Sequence, residues 1–334
     1  MSLKIGIVGG TGNVGRKILQ VLIEQSVDIQ SLRLFASKKS QGEKVVFRDE
    51  EITVELLTEE AMKEDFDYLL FSAGGEVSKI FAPIAEKAGN TVIDNSSQWR
   101  MTEGVPLVVP EINGDTLKGY QGIVSNPNCS TIQMVMALSP LDKVYGLKKI
   151  NVATYQAVSG SGMAGIDELQ EQIESSERKP FTYPKTIAGN CIPHIDVFFD
   201  NGYTKEELKM IYETQKILNK PQLPVQVTTV RVPVVNGHSE AIYAEFEKPP
   251  ELKEARGILE KTEGLVLMDQ PEDLIYPTPL DAHDRDEVFI GRIRKDLFDP
   301  KSLALWVVAD NLRKGAATNA VCILIHMEKL KALN

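Results

Sequence analysis

The chain has 334 residues, 43% hydrophobic and 25% charged, a composition typical of a globular protein long enough for two domains. Its formal net charge of −10, with no basic block longer than a pair, argues against a nucleic-acid or anionic-membrane partner. The apolar runs fall short of the roughly 20 residues of a membrane span, and the Gly-rich start does not resemble a signal peptide. We therefore expect a soluble, cytoplasmic protein.

The chain is predicted to begin with a strand, a Gly-rich turn and a helix. LKIGIV at residues 3–8 is apolar and β-branched, GGTGNVG follows, and RKILQVLIEQ has apolar residues at helical spacing. A turn of this kind lets the backbone approach a diphosphate at the helix N-terminus. A plain tight turn is the alternative. The residues predicted to bind the cofactor here are Gly9, Thr11, Gly12, Asn13, Val14 and Gly15.

The second strand, SLRLFAS, ends where NAD-binding folds usually place an acidic residue for the ribose 2′-hydroxyl. This chain instead has Ser37, Lys38, Lys39 and Ser40. Two hydroxyls and two ammonium groups suit a 2′-phosphate, which a carboxylate would repel. The turn therefore predicts NADP, with an exposed basic turn as the alternative.

The next segments repeat the order of strand, polar turn and helix. EDFDYLLFSAGGEVS is an apolar strand that ends in the small-residue turn Ser72, Ala73 and Gly74, and a helix through IFAPIAEKAG follows. NTVIDNSS is another strand and turn, with Arg100 shortly after it. Such repeats predict a doubly wound parallel sheet with its ligand crevice at the carboxyl ends of the strands.

The cysteine in SNPNCST, Cys129, is predicted to lie at a helix N-terminus, because STIQMVMAL continues with helix-compatible spacing. An ordinary thiol is only about 3% thiolate at pH 7, and a helix N-terminus with a nearby imidazolium increases that fraction. A catalytic thiol and a packed thiol both remain open for Cys129. Cys191 and Cys322 are predicted to be packed thiols. The wide spacing of all three argues against disulfides and against a metal site, so no metal is expected.

A histidine follows the dipeptide Asn236-Gly237, which stands between two apolar stretches and is typical of a two-residue hairpin turn. In that hairpin, Arg231 and His238 would lie on the same face, about 13 Å apart along the strand. This distance leaves room for a short dianion between them. Pro233 weakens this interpretation because proline is confined to strand edges and bulges. A structural role for His238 is the alternative.

Together these segments resemble the aspartate-β-semialdehyde dehydrogenase family over essentially the whole chain. The motifs occur in the family's order: GxTGxVG, ASKKSQG, FSAGGEVS, DNSSQWRM, VVPEIN, SNPNCSTIQMV, TYQAVSGSG, NCIPHID, RVPVVNGHSE and DNLRKGAATNAV. The resemblance implies reversible NADP-dependent conversion of L-aspartate 4-semialdehyde and phosphate into L-4-aspartyl phosphate, upstream of lysine, threonine and methionine.

The resemblance also implies a role for each matched residue. Cys129 corresponds to the nucleophile that forms a thioacyl intermediate, His238 to the acid/base, and Gln156 to the residue that orients the acyl group. Arg231 corresponds to the clamp on the substrate α-carboxylate and Glu213 to the partner of its ammonium. The implied phosphate-binding residues are Arg100, Asn128 and Lys216, and further cofactor contacts are implied at Gly162 and Asn311.

The expected architecture is an α/β fold with two domains. A Rossmann-like, doubly wound NADP-binding domain is expected at 1–127 plus 312–334, closed by an Ala-rich final helix. An α+β catalytic and dimerisation domain is expected at 128–311, and by resemblance the protein is a homodimer.

The chain departs from the family pattern at two positions. Lys39 stands where arginine is common, which loosens the expected preference for NADP, and Cys322 stands where glutamine is common. Three rival functions remain open: an N-acetyl-γ-glutamyl-phosphate reductase, a non-catalytic NADP-binding regulatory protein, and a cysteine-dependent hydrolase. Glu213 discriminates against the first, which needs no pocket for a free ammonium.

Overall fold

A computed structural model describes residues 2–175 and 179–333. The chain divides into two compact units: the first runs to Asn128 and resumes at Ala316, and the second spans Cys129–Gly315. Within the described residues, no helix is long and apolar enough to cross a bilayer.

The first unit is built on a parallel sheet of six strands in the order β5-β2-β1-β6-β7-β8. The strands of this unit are β1 Leu3–Val8, β2 Ile29–Ala36, β3 Lys44–Phe47, β4 Glu50–Thr53, β5 Glu55–Leu56, β6 Tyr68–Phe71, β7 Thr91–Asp94 and β8 Ile123–Ser125. Its helices are α1 Asn13–Glu24, α2 Glu59–Met62, α3 Gly75–Lys87, α4 Pro110–Asn113 and, from the end of the chain, α10 Thr318–Ala332. The doubly wound α/β fold is confirmed.

The direction of winding reverses between β1 and β6, since β2 and β5 lie on one side of β1 and β6, β7 and β8 on the other. β6 is buried along its whole length, and β7 likewise, as expected for parallel strands covered on both faces. Ligands of doubly wound sheets bind at such a reversal, outside the carboxyl ends of the strands. The turns after β1 and β6 therefore mark the crevice.

The C-terminal helix α10 packs into the core of the first unit. Ala320, Val321 and Leu324 are buried beside Ile18 and Leu22 of α1. The small alanine side chains allow the helices to approach closely, so the last segment of the chain completes the core of a unit that the first segment begins.

The second unit is built on a mixed sheet of six strands in the order β10-β9-β11-β14-β13-β12. Its strands are β9 Leu147–Gln156, β10 Val225–Arg231, β11 His238–Phe246, β12 Leu265–Leu267, β13 Val288–Lys295 and β14 Ser302–Ala309. Its helices are α5 Cys129–Tyr145, α6 Met163–Glu174, α7 Lys205–Ile217, α8 Leu252–Glu260 and α9 Pro279–Ala282. The second α+β domain is confirmed.

One face of this sheet is covered by helices. α5 lies against β9, β11 and β14, and α7 and α8 flank it. The even-numbered residues of β11 point toward α5, because side chains of a strand alternate between its two faces. The opposite face carries Tyr155 and Trp306, whose rings are 5.5 Å apart and partly exposed.

The predicted hairpin between Arg231 and His238 is wrong. β10 pairs in parallel with β9, and β11 pairs with the other edge of β9 in antiparallel orientation, so β9 lies between them. Residues 232–237 instead follow the end of β9, where the amide groups of Val158 and Ser159 donate to the carbonyl groups of Val234 and Val235. Pro233 has no backbone N–H to donate in a hairpin, which is the feature that weakened the hairpin prediction.

Candidate active site

The Gly-rich turn after β1 requires glycine at two positions. Gly9 has φ +87°, and a Cβ there would lie 2.9 Å from the backbone of Ser72. A Cβ on Gly15 would lie 2.2 Å from the carbonyl oxygen of Gly9. The N-cap of α1 is Gly12, which has no side chain to accept from the first turn of the helix. The N–H groups of Asn13 and Val14, in the first turn of α1, have no acceptor within the helix and can face an anion.

A hydrogen bond connects the turn after β6 to the turn after β1, at the point where the direction of winding reverses. The Ser72 hydroxyl lies 3.3 Å from the carbonyl oxygens of Val8 and Gly9 and donates to this pair. After Ala73, Gly74 has φ +88° and caps α3. These small residues leave open space at the crevice, as the predicted approach of a dinucleotide requires.

The turn after β2 is exposed at Ser37, Lys38 and Lys39, with Ser40 half-buried. The amide of Ser40 donates to the carbonyl of Ser37 at 3.0 Å, so the segment is a tight turn that projects both ammonium groups outward. The turn carries no carboxylate, in agreement with a 2′-phosphate ligand.

Arg100 is buried at the carboxyl ends of β7 and β8. Its Nε donates to the carbonyl of Asn126 at 2.9 Å, and its Nη2 to the carbonyl of Asn95 at 2.8 Å. These contacts fix the guanidinium, and the buried Asn128 lies two residues beyond Asn126.

Cys129 is the first residue of α5 and is partly exposed, so it is not sealed in the core. Gly315 packs against it so closely that a Cβ on the glycine would lie 2.6 Å from the Cβ of Cys129. The prediction that Cys191 is a packed thiol is wrong, since Cys191 is exposed on a surface loop. Cys322, on α10, is partly exposed rather than fully packed.

His238 is completely buried at the start of β11. The backbone N–H of Ala157 donates to its Nδ1 at 3.1 Å, so the proton of the neutral ring resides on Nε2. Nε2 itself has no hydrogen-bond partner among residues 2–175 and 179–333. Burial lowers the pKa of His238 well below 6.5, and the charge of Arg231 lowers it further. The imidazole is therefore neutral at pH 7 and cannot act as the imidazolium predicted to activate Cys129.

Arg231 and His238 converge on one point. A Cβ on Gly160 would lie 3.0 Å from Nη1 of Arg231 and 3.4 Å from Nε2 of His238. No local pattern in the sequence singles out Gly160, whose importance arises from the space that it leaves open above both groups.

The Arg231 guanidinium is held by Nη1, which donates to the carbonyl of Ala157 at 2.6 Å, and it lies 5.9 Å from the ring centre of Tyr183. Its Nε has no partner in the described part of the chain. Burial lowers the pKa of Arg231, while Tyr183, Glu206 and Cys129 raise it through their charges. A buried guanidinium with an unused donor is suited to a carboxylate.

Gln156 ends β9 beside Arg231, its register partner on β10. Its Nε2 lies 3.2 Å from Oε1 of Glu206 and donates to it. Lys209 pairs with the same Glu206 carboxylate at 3.1 Å. Sequence reasoning missed Glu206, because an acidic residue in the first turn of a helix is usually a partner of the helix dipole.

Glu213 and Lys216 lie on one face of α7, as predicted. Glu213 is buried, and burial lowers the pKa of Lys216, an effect that the charge of Glu213 opposes. Asn311 is buried too: its Oδ1 accepts from the N–H of Gly237 at 3.0 Å and its Nδ2 donates to Ser159 at 2.9 Å. Asn311 thus fixes the turn before His238, and its contact with a cofactor stays a prediction, as does that of Gly162, the N-cap of α6.

The second unit thus combines a partly exposed thiol at a helix N-terminus with a buried guanidinium and a buried imidazole. The guanidinium and the imidazole converge on one point. This combination supports nucleophilic attack by sulfur on an anionic carbonyl compound. Two family models match the chain, described as the semialdehyde dehydrogenase NAD binding domain over residues 4–120 and dimerisation domain over residues 138–314.

The chain is also similar to curated and solved proteins over nearly its full length. It is 50% identical over 331 residues to an aspartate-semialdehyde dehydrogenase of Aquifex aeolicus, covering 97% of each chain. It is 46% identical over 340 residues to that of Bacillus subtilis, covering 98% of each. The crystal structure of aspartate semialdehyde dehydrogenase II from Vibrio cholerae matches with a TM-score of 0.95 at 44% identity, covering 98% of this chain and 99% of that one. With two matching family models and full-length relatives at such identity, this chain belongs to the aspartate-semialdehyde dehydrogenase family of oxidoreductases.

Proposed function

We propose that this chain catalyses the reversible NADP-dependent conversion of L-aspartate 4-semialdehyde and phosphate into L-4-aspartyl phosphate. The observation that carries the proposal is the convergence of Arg231 and His238 above Gly160, in the unit that begins with Cys129. The aspartate semialdehyde dehydrogenase II of Vibrio cholerae has also been crystallised in complex with ASA. That substrate class fits a buried guanidinium with an unused donor.

Cys129 is the proposed nucleophile. In the biosynthetic direction its thiolate attacks the acyl phosphate carbon, phosphate leaves, and a thioester forms at sulfur. Because His238 is neutral, the positive potential that favours the thiolate comes from the N-terminus of α5 and from Arg231, whose charge interacts with Cys129. Gln156, held by Glu206, is proposed to orient the acyl group.

His238 is proposed to donate a hydrogen bond to the oxygen of the reacting carbonyl group. With Nδ1 occupied by the Ala157 N–H, its Nε2–H points toward the space above Gly160 and donates to an oxygen that gains negative charge. The acid/base role implied by the resemblance stays a prediction. Each turnover that passes a proton through this ring requires the Ala157 contact to break or lengthen.

The remaining polar residues are proposed to bind the ends of the substrate. Arg231 binds the α-carboxylate, because a guanidinium forks onto a carboxylate with two parallel hydrogen bonds. Glu213 binds the ammonium group, and Lys216 binds phosphate. In the first unit, Arg100 and Asn128 are proposed to bind phosphate as well.

The first unit carries an NAD(P)-binding domain, and we propose NADP as the cofactor. Its glycine cradle and the N-termini of α1 and α3 fit a dinucleotide diphosphate, and Ser37, Lys38, Lys39 and Ser40 fit a 2′-phosphate. When bound, this cofactor supplies or accepts a hydride.

We also propose a homodimer formed through the second unit. The matched dimerisation model covers 138–314, and the sheet face opposite α5 carries Tyr155, Tyr243 and Trp306 partly exposed. Sedimentation equilibrium tests this, and a monomeric mass at micromolar concentration excludes it. Cytoplasmic location stays a prediction.

The test of the function is absorbance at 340 nm with aspartate semialdehyde, phosphate and either NADP or NAD. We expect NADPH formation by the natural chain and none by Cys129→Ala, which should still bind NADP by calorimetry. Cys191→Ala is the matched control, because Cys191 is an exposed thiol outside the proposed site, and its activity should be unchanged. Turnover retained in Cys129→Ala refutes the assignment.

A further inference from the structure

Asp310 is a buried carboxylate that the proposed mechanism does not use. It directly follows β14 and has no exposed surface. Its Oδ2 accepts from Nδ2 of Asn236 at 2.6 Å and from the amide of Asp284 at 2.8 Å. Its Oδ1 accepts from the amides of Leu312 at 2.8 Å and Arg313 at 3.0 Å. Each oxygen therefore has two N–H donors, so the position of this side chain is fixed from both sides.

The Oδ2 side of this carboxylate leads to His238. Asn236 lies two residues before His238, and its side-chain amide is bound at both ends: Nδ2 donates to Asp310, and Oδ1 accepts from the Ser159 hydroxyl at 3.0 Å. The backbone of His238 pairs with Ala309, the residue before Asp310. Asp310 thus fixes the turn from which the imidazole enters β11.

The Oδ1 side leads to Cys129. The amides of Leu312 and Arg313 lie two and three residues after Asp310, so the carboxylate caps the turn that starts there. The carbonyl oxygen of Asp310 accepts from the amide of Gly315 at 3.2 Å, which closes the same turn. Gly315 packs against Cys129, where an added Cβ would lie 2.6 Å from the Cβ of the cysteine. The backbone beside the thiol is therefore held by the same residue.

We infer that Asp310 is a positioning residue that holds His238 and the backbone beside Cys129 in their reactive arrangement. This inference rests on the proposed function. A carboxylate suits this role because its two oxygens only accept hydrogen bonds and together offer about four lone-pair sites, which N–H groups fill here. Loss of the carboxylate leaves buried N–H groups without an acceptor, so both segments must rearrange to satisfy them.

Three variants separate the two sides. Asn236→Ala removes the contact that leads to His238 and keeps the cap on the turn after Asp310. Asp310→Ala removes both. The double variant Asp310→Asn with Asn236→Asp restores a hydrogen bond between the two side chains with donor and acceptor exchanged, because the new amide at position 310 donates to the new carboxylate at position 236. The oxygen of that amide still accepts from the turn.

Asp269→Ala is the matched control, because Asp269 is a buried carboxylate of the same kind in another part of the sheet. Its side chain is 1% exposed, pairs with Arg256 at 2.8 Å and accepts from the amide of Ile293 at 3.2 Å. It follows β12, the edge strand that β13 and β14 separate from β11. Its contacts hold α8 and β13 rather than the turns beside His238 and Cys129.

We expect Asn236→Ala and Asp310→Ala to lower kcat by about 10- to 100-fold, since a displacement of about 1 Å at a reacting group costs about 100-fold. The KM for the semialdehyde should stay nearly unchanged, because Arg231 is held by the carbonyl of Ala157 and not by Asp310. The double variant should recover most of the kcat that Asn236→Ala loses. Asp269→Ala should keep the natural kcat, and urea unfolding of every variant shows whether it is folded.

Two measurements on the side of Cys129 do not depend on turnover. Iodoacetamide should modify Cys129 about fivefold faster in Asp310→Ala, the factor by which loss of one side-chain cap raises a local opening equilibrium, and at the natural rate in Asn236→Ala. In the natural chain, the amides of Leu312 and Arg313 should exchange hydrogen as slowly as those of β14. The second measurement needs no variant, so it applies even if Asp310→Ala does not fold.

The outcomes separate this inference from the proposed function. If the natural chain does not turn over the semialdehyde, the proposed function fails, whatever the exchange and alkylation results. The inference is overturned if Asn236→Ala keeps the natural kcat, if the double variant is no better than Asn236→Ala, or if Asp269→Ala lowers kcat as much. It is also overturned if iodoacetamide modifies Cys129 equally fast in the natural chain and in folded Asp310→Ala, or if the amides of Leu312 and Arg313 exchange faster than those of β14.

Discussion

Substitution of Gly160 by alanine tests the site at its centre. The residue lies in the short helical turn Val158–Ser161 and does not have a positive φ, so alanine fits the backbone. We expect the folded state to be retained, because the close contact of the added methyl group with Arg231 is offset in part by a gain of about 0.4–1 kcal/mol from the stiffer unfolded chain. If urea unfolding shows that the variant is folded, any loss of activity reports on the site.

The size of the effect follows from the contacts of the added methyl group. It would lie 3.0 Å from Nη1 of Arg231, inside the 3.4–4 Å of ordinary contact, and Nη1 cannot retreat freely. That atom donates to the carbonyl of Ala157 at 2.6 Å. If the guanidinium moves enough to lose one charge-assisted hydrogen bond to the substrate, the loss is about 1.5–3 kcal/mol. This corresponds to a reduction of about 10- to 150-fold in kcat/KM.

The assay is initial-rate absorbance at 340 nm with varied semialdehyde, alongside urea unfolding of the same protein. Gly257→Ala is the matched control, because Gly257 lies on α8 with no atom within 4 Å of an added Cβ. Its activity should equal that of the natural chain. If Gly160→Ala is stable and keeps the natural kcat/KM, the space above Gly160 is not where the substrate reacts.

Three further changes have defined outcomes. Arg231→Lys should raise the KM for the semialdehyde by tenfold or more, since lysine lacks the fork that grips a carboxylate, and an unchanged KM would remove Arg231 from the substrate site. His238 has a folded pKa below 6.5, so its neutral form contributes stability above pH 6.5 that is lost as pH falls toward the folded pKa. Urea unfolding should therefore show the natural chain losing about 1.4 kcal/mol per pH unit below 6.5 relative to His238→Gln, and parallel curves would contradict a buried neutral imidazole. Lys39→Arg should increase the ratio of kcat/KM for NADP to that for NAD, because a guanidinium binds a 2′-phosphate through two hydrogen bonds; a constant ratio would show that residue 39 does not contact the cofactor.

Local sequence patterns determined the first unit in advance. The order of strand, glycine turn and helix at the start of the chain fixes a right-handed crossover, and repetition of that unit leaves few arrangements other than a parallel sheet. Gly9 and Gly15 could be identified for the same reason, since a tight turn before a helix leaves no room for a side chain. The position of Cys129 at a helix start was also readable from the residues on either side of it.

The order of strands in the second sheet was not determined by local pattern. An Asn-Gly turn predicts a hairpin only from neighbours in sequence, and nothing near residue 236 indicates that β9 is inserted between β10 and β11. That insertion brings Gln156 beside Arg231 and sets the amide of Ala157 against His238. Only pairing between distant strands decides such contacts.

The electrostatic state of the proposed site was likewise decided by tertiary structure. From sequence, His238 is an ordinary imidazole and Glu240 an ordinary carboxylate on alternate positions of a strand. Both lie beneath α5 in the folded chain, and the loss of water lowers the pKa of His238 and raises that of Glu240, because a charge without a partner is unstable in a medium of low polarity. Sequence supplies the ionisable groups and their order, whereas burial, which depends on every element packed around them, sets the form in which each group acts.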